Sequence, residues 1–411
     1  LGYKKIIILF KYIKVIADLP VYYLSKIFPK KKNLSIIGSS LGLHFADNPK
    51  YFYIDYYRRN HFSSNLVWIS KSKLIVNNLK EKGYPSEYLY SAKGLYIVLR
   101  ASRAYISHQL DDINGALMGG AQIIQLWHGM PLKKIGYGGD WNDSNFAGKL
   151  KSFVFKWFPY SYYMKCDILF APSKEAKKTY LESFSKSFRN SKISENILLV
   201  RQARTFCFDK DFLLTSEFFP EINLLNSFSN KFDKIISWLP THRAQLGKTI
   251  IDVISDSNLN LEGLNNFLES QNYLFVIKPH FLDYNELKNI TKEFDFITVY
   301  PHVDAYPLLK FTDILVTDYS SVFFDFLLTD RLIIFMNHDF EEYVSATGSF
   351  YYNYENLDIG PICSSWEHVI EVISNHKKYK ERFSININHR FQKFSFASNK
   401  NVKESIIKQI N

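Results

Sequence analysis

Apolar residues along this chain fall in short, nearly unbroken runs separated by turn residues or by stretches with helical spacing. In the first half the runs at 34–37, 65–69, 104–107, 123–127 and 167–171 read as buried strands. In the second half, 234–239, 274–277, 297–299, 314–317 and 332–336 read the same way. Residues 72–81 carry helical spacing, and Ser173 stands where a cap would open the helix after the 167–171 strand. Alternation of buried strands with helices predicts parallel sheets covered on both faces.

The alternation weakens in the polar, Asn/Ser/Phe-rich stretch 216–232 and restarts at 234. A chain of 411 residues is long enough for two cores, because single cores stop growing at about 250–300 residues. The expected architecture is therefore α/β, with two doubly wound Rossmann-like domains facing each other. The first spans 33–215 and the second 233–411, joined by a linker at 216–232 and preceded by a basic amphipathic segment at 1–32. Helix-like residues at 364–377 and 399–410 close the chain, and the last of them is placed to pack back on the first domain.

Charge changes the picture at one end. The net charge of +11 calls for an anionic partner, and residues 1–32 hold eight lysines against one acid, Asp18. Uncharged apolar runs there, such as 6–10, fall far short of the roughly 20 residues that span a bilayer. No cleavage site of signal-peptide type follows them. A segment lying on an anionic membrane surface at the cytoplasmic face is the functional reading; an ordinary surface helix with snorkelling lysines is the alternative. Nucleic acid is not an expected partner, since the basic residues lie among apolar ones and not in a recognition module. Cys166, Cys207 and Cys363 make no CxxC pair, which argues against a zinc or disulfide scaffold and fits a reducing compartment.

Candidate chemistry sits at strand ends, where open parallel sheets bind ligands. The run 123–127 delivers His128, followed by Gly129, Lys133 and Lys134; Gly129 allows close backbone approach, and the lysines attract an anion. The run 274–277 delivers Lys278 and His280. After 314–317 come Asp318, Ser320 and Ser321 at the start of a helix, an arrangement suited to a diphosphate. Thr241 and Arg243 follow 234–239 and offer a hydroxyl and a planar fork for phosphate oxygens. There is no Walker loop, GxGxxG fingerprint, Ser-His-Asp elbow or strand-end DxD pair. The expected chemistry is a metal-independent transfer with no cofactor.

Five segments in order, WHGMPLKKIG (127–136), LPTHR (239–243), VIKPH (276–280), TDYSSVFFDF (317–326) and FYYNYENLDIGP (350–361), resemble the CDP-glycerol glycerophosphotransferase family, which includes teichoic acid primases and polymerases and related capsule enzymes. The resemblance implies a GT-B architecture with the acceptor on the N-terminal side, a CDP-polyol donor on the C-terminal side, and work at the cytoplasmic face of the membrane. It implies His128 as general base toward the acceptor hydroxyl and His280 as the histidine that stabilises the phosphate or its leaving group. Ser320 and Ser321 resemble donor-phosphate ligands, with Thr317, Asp318 and Arg243 lining the same pocket. Gly129, Lys133 and Lys134 fall on the acceptor side. Thr347 departs from the pattern, since family members often carry arginine before that glycine. The implied reaction moves a polyol phosphate, glycerol phosphate foremost, from the CDP donor to a lipid-linked or glycan acceptor. Alternative readings are a nucleotide-sugar glycosyltransferase and a noncatalytic nucleotide-binding scaffold.

Overall fold

Strands form where the apolar runs predict them, in a computed structural model that describes residues 2–60, 65–136, 165–184, 193–280 and 283–393 and isolated positions between 139 and 160. The first sheet takes β1 (Lys31–Ile37), β2 (Leu66–Ser70), β3 (Ser86–Tyr88), β4 (Ala101–Ile106), β5 (Gln122–Gln125), β6 (Ile168–Ala171) and β7 (Ile197–Leu199) in the order β3-β2-β1-β4-β5-β6-β7. The second takes β8 (Lys234–Leu239), β9 (Tyr273–Ile277), β10 (Ile297–Val299), β11 (Ile314–Thr317), β12 (Leu332–Met336) and β13 (Ile362–Cys363) in the order β10-β9-β8-β11-β12-β13. All these pairings are parallel, as when Ile36 lies beside Val67 and Ala104, or Leu315 beside Ser237 and Ile333.

Both orders reverse direction once, between β1 and β4 and between β8 and β11. At such a point successive crossovers depart to opposite faces, and the strand-end loops part to leave a ligand crevice. This is a GT-B-like α/β fold with two parallel sheets. One compact unit comprises the chain up to His128 with Gly136–Arg204; the other comprises Gly129–Ile135 with Thr205–Ser395.

In the second unit the two-residue period of the strands sorts the core onto two faces. Ile236, Trp238, Phe275 and Ile277 pack with Trp366, Val369 and Ile373 on one side. Ile235, Leu274 and Val276 pack with Leu225, Tyr300 and Leu308 on the other. Leu225 belongs to the helix Ile222–Lys231, which lies within the 216–232 stretch. The Trp366 indole N–H donates to Ser257 Oγ at 2.9 Å, so its burial leaves no orphan donor. Helices start on predictable caps: Ser173 accepts from the Ala176 N–H, and Thr249 and Asp252 form a reciprocal capping box.

The basic N-terminal segment forms a helix, Gly2–Ile27. It seats on the first unit through Tyr22 and Ser25, whose hydroxyl donates to the Ala116 carbonyl and accepts from the Gly119 N–H. Gly119 is required there, since a Cβ would lie 2.3 Å from Ser25 Oγ and 2.6 Å from the Tyr22 carbonyl. The opposite side leaves Ile16, Leu24 and Ile27 exposed at 62%, 63% and 78%. Among the described residues no helix is long and apolar enough to cross a membrane. Residues 399–410 lie outside the described residues.

Candidate active site

In the first unit, β4 and β5 place two histidines side by side. The carboxylate of Asp112, fully buried, accepts from the N–H groups of Leu41, Ser107 and His108 and so fixes the loops after β1 and β4. Beyond β5, Trp127 takes a left-handed backbone with φ +58°, costly for a bulky residue. Two contacts hold it: the Trp127 N–H donates to Gln125 Oε1 at 3.0 Å, and Asn48 Nδ2 donates to the Trp127 carbonyl at 2.7 Å. The turn brings His128 Nδ1 to 2.9 Å from the Ser107 carbonyl. A carbonyl can only accept, so Nδ1 donates and Nε2 of the neutral ring is left to take a proton.

His108 stacks on His128 with ring centroids 4.3 Å apart and planes 6° from parallel. The indole of Trp127 lies 4.1 Å from the His128 ring centroid. Burial, reinforced by His108, lowers the His128 pKa to about 4, against a smaller opposing pull from Asp47. Burial also lowers His108, again opposed by Asp47. Burial works against the charge of Asp47, but Arg204 at 2.9 Å, His108, His128 and the Asn48 N–H together outweigh it and hold its pKa below the usual carboxylate value. Arg204 also donates to the His128 carbonyl at 2.8 Å.

In the second unit the crevice-forming ends are those of β8, β9 and β11. Asp318 accepts from the Thr241 N–H at 2.9 and 3.0 Å and from its hydroxyl at 2.5 Å, and the Thr317 hydroxyl donates to the Leu239 carbonyl. Arg243 is buried and its guanidinium is committed to protein partners. It pairs with Asp318 at 2.8 Å and Asp339 at 2.8 Å and donates to the Thr241 carbonyl at 2.6 Å. The stacked rings of Tyr319 and Tyr343 flank it. Burial opposes ionisation of Asp339, yet Arg243 prevails and keeps its pKa low. Ser320 and Ser321 are half-buried just beyond Asp318 and precede a helix of only five residues, Val322–Phe326. The hydroxyls, more than a helix dipole, are what this turn offers a phosphate.

Lys278 follows β9, its ammonium donating to the Pro279 carbonyl at 3.0 Å; burial lowers its pKa to about 8, with Asp304 opposing. His280 stacks on His242 with centroids 4.4 Å apart, and Asp283 Oδ2 lies 3.9 Å from His242 Nε2. Burial, then His242, lowers the His280 pKa. Among the described residues, His242, His280 and Asp283 form the group with convergent metal-ligating atoms.

The segment after His128 crosses to the second unit. Gly129, at φ +140°, opens it. Lys133 bridges antiparallel to Phe350, and backbone bonds from Lys134 to Ser349 and from Tyr351 to Leu132 flank the bridge. The Lys133 ammonium donates to the Tyr343 hydroxyl; burial lowers its pKa, and Asp318 opposes that effect. The structure thus gathers Lys133, Thr241, Arg243, Thr317, Asp318, Ser320 and Ser321 around the ends of β8 and β11, with Lys278 and His280 at neighbouring β9. Lys134 enters only through its backbone. His128 lies in the other unit with His108, Asp47 and Arg204, which the sequence reading did not single out. His108 and His242 obey the same strand-end rule that marked His128 and His280, and that signal would have found both.

The model of the CDP-Glycerol:Poly(glycerophosphate) glycerophosphotransferase family matches residues 21–411. A teichoic acid poly(glycerol phosphate) polymerase of Bacillus spizizenii is 26% identical over 400 residues, covering 95% of each chain. A teichoic acid glycerol-phosphate transferase of Staphylococcus aureus is 26% identical over 375 residues, 88% of this chain and 89% of that one. The solved structure of the wall teichoic acid polymerase TagF shares the fold, with a TM-score of 0.74 at 20% identity over 99% of this chain and 96% of that one. The match over nearly the whole chain, on a fold whose two sheets carry histidines at their strand ends, makes this chain a member of the CDP-glycerol:poly(glycerophosphate) glycerophosphotransferase family of enzymes.

Proposed function

We propose that the chain transfers glycerol phosphate from CDP-glycerol to a hydroxyl of a lipid-linked or glycan acceptor, releasing CMP, in the synthesis of a teichoic-acid-like or capsular polymer. The observation that carries the catalytic reading is the hydrogen bond from His128 Nδ1 to the Ser107 carbonyl, which leaves Nε2 as the basic atom of a ring kept neutral by burial. In this reading Nε2 takes the proton of the acceptor hydroxyl as its oxygen bonds the β-phosphorus. The bond from that phosphorus to the bridging oxygen breaks, and CMP departs with the oxygen. An unliganded pKa near 4 makes a weak base, and any negative charge that a substrate brings close to the imidazole would raise its basicity.

The donor's phosphates are assigned to Ser320, Ser321, Lys278 and His280, with Lys133 on the donor side because it lies beside Asp318 and Tyr343. Thr241, Thr317, Asp318 and Arg243 tie the ends of β8 and β11 together and set where those ligands stand. Gly129 and Lys134 remain assigned to the acceptor. The helix Gly2–Ile27 is assigned to the anionic cytoplasmic face of the membrane as a peripheral anchor.

The test is incubation with CDP-glycerol, CDP-ribitol or UDP-sugars and a lipid-linked acceptor, following CMP and product mass. CMP release with CDP-glycerol and a mass gain of glycerol phosphate units are expected. Preferential turnover of CDP-ribitol would reassign the donor, and consumption of UDP-sugars would favour the glycosyltransferase reading. His128→Ala is expected to lower turnover by about 10²–10⁴-fold with an unchanged circular dichroism spectrum.

A further inference from the structure

The loops after β8 and β9 bring two imidazoles and a carboxylate to one point, and we propose that His242, His280 and Asp283 bind a divalent transition-metal ion. The two strands are adjacent and parallel, so their carboxyl-terminal loops emerge together. The rings stack with centroids 4.4 Å apart and planes 19° from parallel. One ligand atom from each of the three residues lies within 4.8 Å of the others. A small cavity opens beside them, its remaining wall including Thr249, Ile250 and Val253.

The Asp283 N–H donates to the His280 carbonyl at 3.0 Å and so sets the carboxylate beside the rings, while the 3.9 Å from Asp283 Oδ2 to His242 Nε2 is too long for a hydrogen bond. Ligands at about 2.0–2.2 Å from a common centre would need the three groups to close by about an ångström, within reach of side-chain rotation. Nearby cations do not occupy the point: Arg243 is neutralised by Asp318 and Asp339, and the Lys278 ammonium donates to the Pro279 carbonyl. Two nitrogen ligands and one carboxylate suit zinc better than magnesium or calcium. Three protein ligands leave a coordination position open, where a phosphate oxygen of the donor would bind and lose charge to the ion. That use rests on the donor reading above, and His280 would then act on the phosphate through the ion; binding of the ion itself does not depend on it.

The experiment uses the full chain, stripped with a chelator and dialysed against Zn²⁺ alone, with no nucleotide. Bound zinc is counted by mass spectrometry, and affinity is read by competition with a chromophoric chelator. About one equivalent per chain is expected. Affinity should fall about 10–100-fold in Asp283→Asn and more in His242→Ala, while the exposed His368→Ala stays at the native value. His242→Gln repeats the test if the alanine variant does not fold, as judged by circular dichroism. A native chain that takes up no zinc, or variants at 242 and 283 that bind as the native chain does, would overturn the proposal. Because nucleotide is absent, failure here is distinct from failure of CDP-glycerol turnover.

Discussion

Trp127 adopts a backbone conformation that a bulky aromatic residue rarely accepts, and the residue delivered by that turn is His128. The consequence is readable in pH. With its pKa lowered to about 4, His128 is already deprotonated where an ordinary histidine is half charged, so the acid limb of kcat/KM for CMP release is expected well below pH 6.5. His108 adds to that lowering, while Asp47 opposes it; Arg204 and the backbone bond to Ser107 complete the surroundings. Replacing His108 with alanine should therefore move the limb upward, and His280, in the other unit, gives an internal reference that this substitution leaves alone. An unmoved limb would show that the stacked ring does not tune the base. Stability follows the same sign. Between about pH 6.5 and 4 the unfolded chain takes up a proton at this position and the folded chain does not, so acid destabilises the fold across that window. Strand-end position made His128 and His280 legible in the sequence. Asp47 and Arg204 were not legible, because they are 157 residues apart and meet only through the folding of the first sheet.

At the scale of elements, β8, β11 and the loop after β12 are joined by one buried cation. Arg243 takes two carboxylates, Asp318 beyond β11 and Asp339 beyond β12. Removing one member of such a buried group leaves another charge uncompensated, at a cost of about 3–5 kcal/mol. Asp339→Ala and Arg243→Met are each expected to lower the unfolding free energy read from urea denaturation by an amount in that range, with a lower midpoint, and Arg243→Lys to fail as a substitute because it lacks the planar fork. Midpoints within error of the native chain would mean that the network contributes little to holding the strand ends. The long central strands were legible because burial on both faces makes their sequences continuously apolar, as in Leu332–Met336. Ser86–Tyr88, Ile197–Leu199 and Ile362–Cys363 are too short to display any period, and only pairing at a sheet edge makes them strands. Arg243 reads in sequence as a free phosphate fork; its carboxylate partners lie 75 and 96 positions away, and only the strand order brings them to it.

At the scale of the whole molecule, the doubled Rossmann order followed from β/α alternation, but the crossing of Gly129–Ile135 into the second unit did not, since a single bridge between Lys133 and Phe350 carries no sequence period. The N-terminal helix poses the remaining question of scale, because its two sides serve different ends. Tyr22 and Ser25 are built into the first unit, so deleting the helix would expose Ala116 and Gly119 and confuse unfolding with loss of a surface. The exposed side offers a cleaner variant. Ile16, Leu24 and Ile27 project largely exposed apolar area, amid lysines such as Lys26, Lys31 and Lys32. Apolar insertion and attraction to anionic headgroups act together on such a helix, the second weakening as salt rises. Ile16→Glu with Leu24→Glu should therefore release the protein from phosphatidylglycerol vesicles in a sedimentation assay, keep the native thermal midpoint, and keep turnover on a water-soluble acceptor. Native binding should also weaken in high salt. Retention of the double variant on vesicles would assign membrane contact to another surface, and salt-independent native binding would remove the lysines from the account.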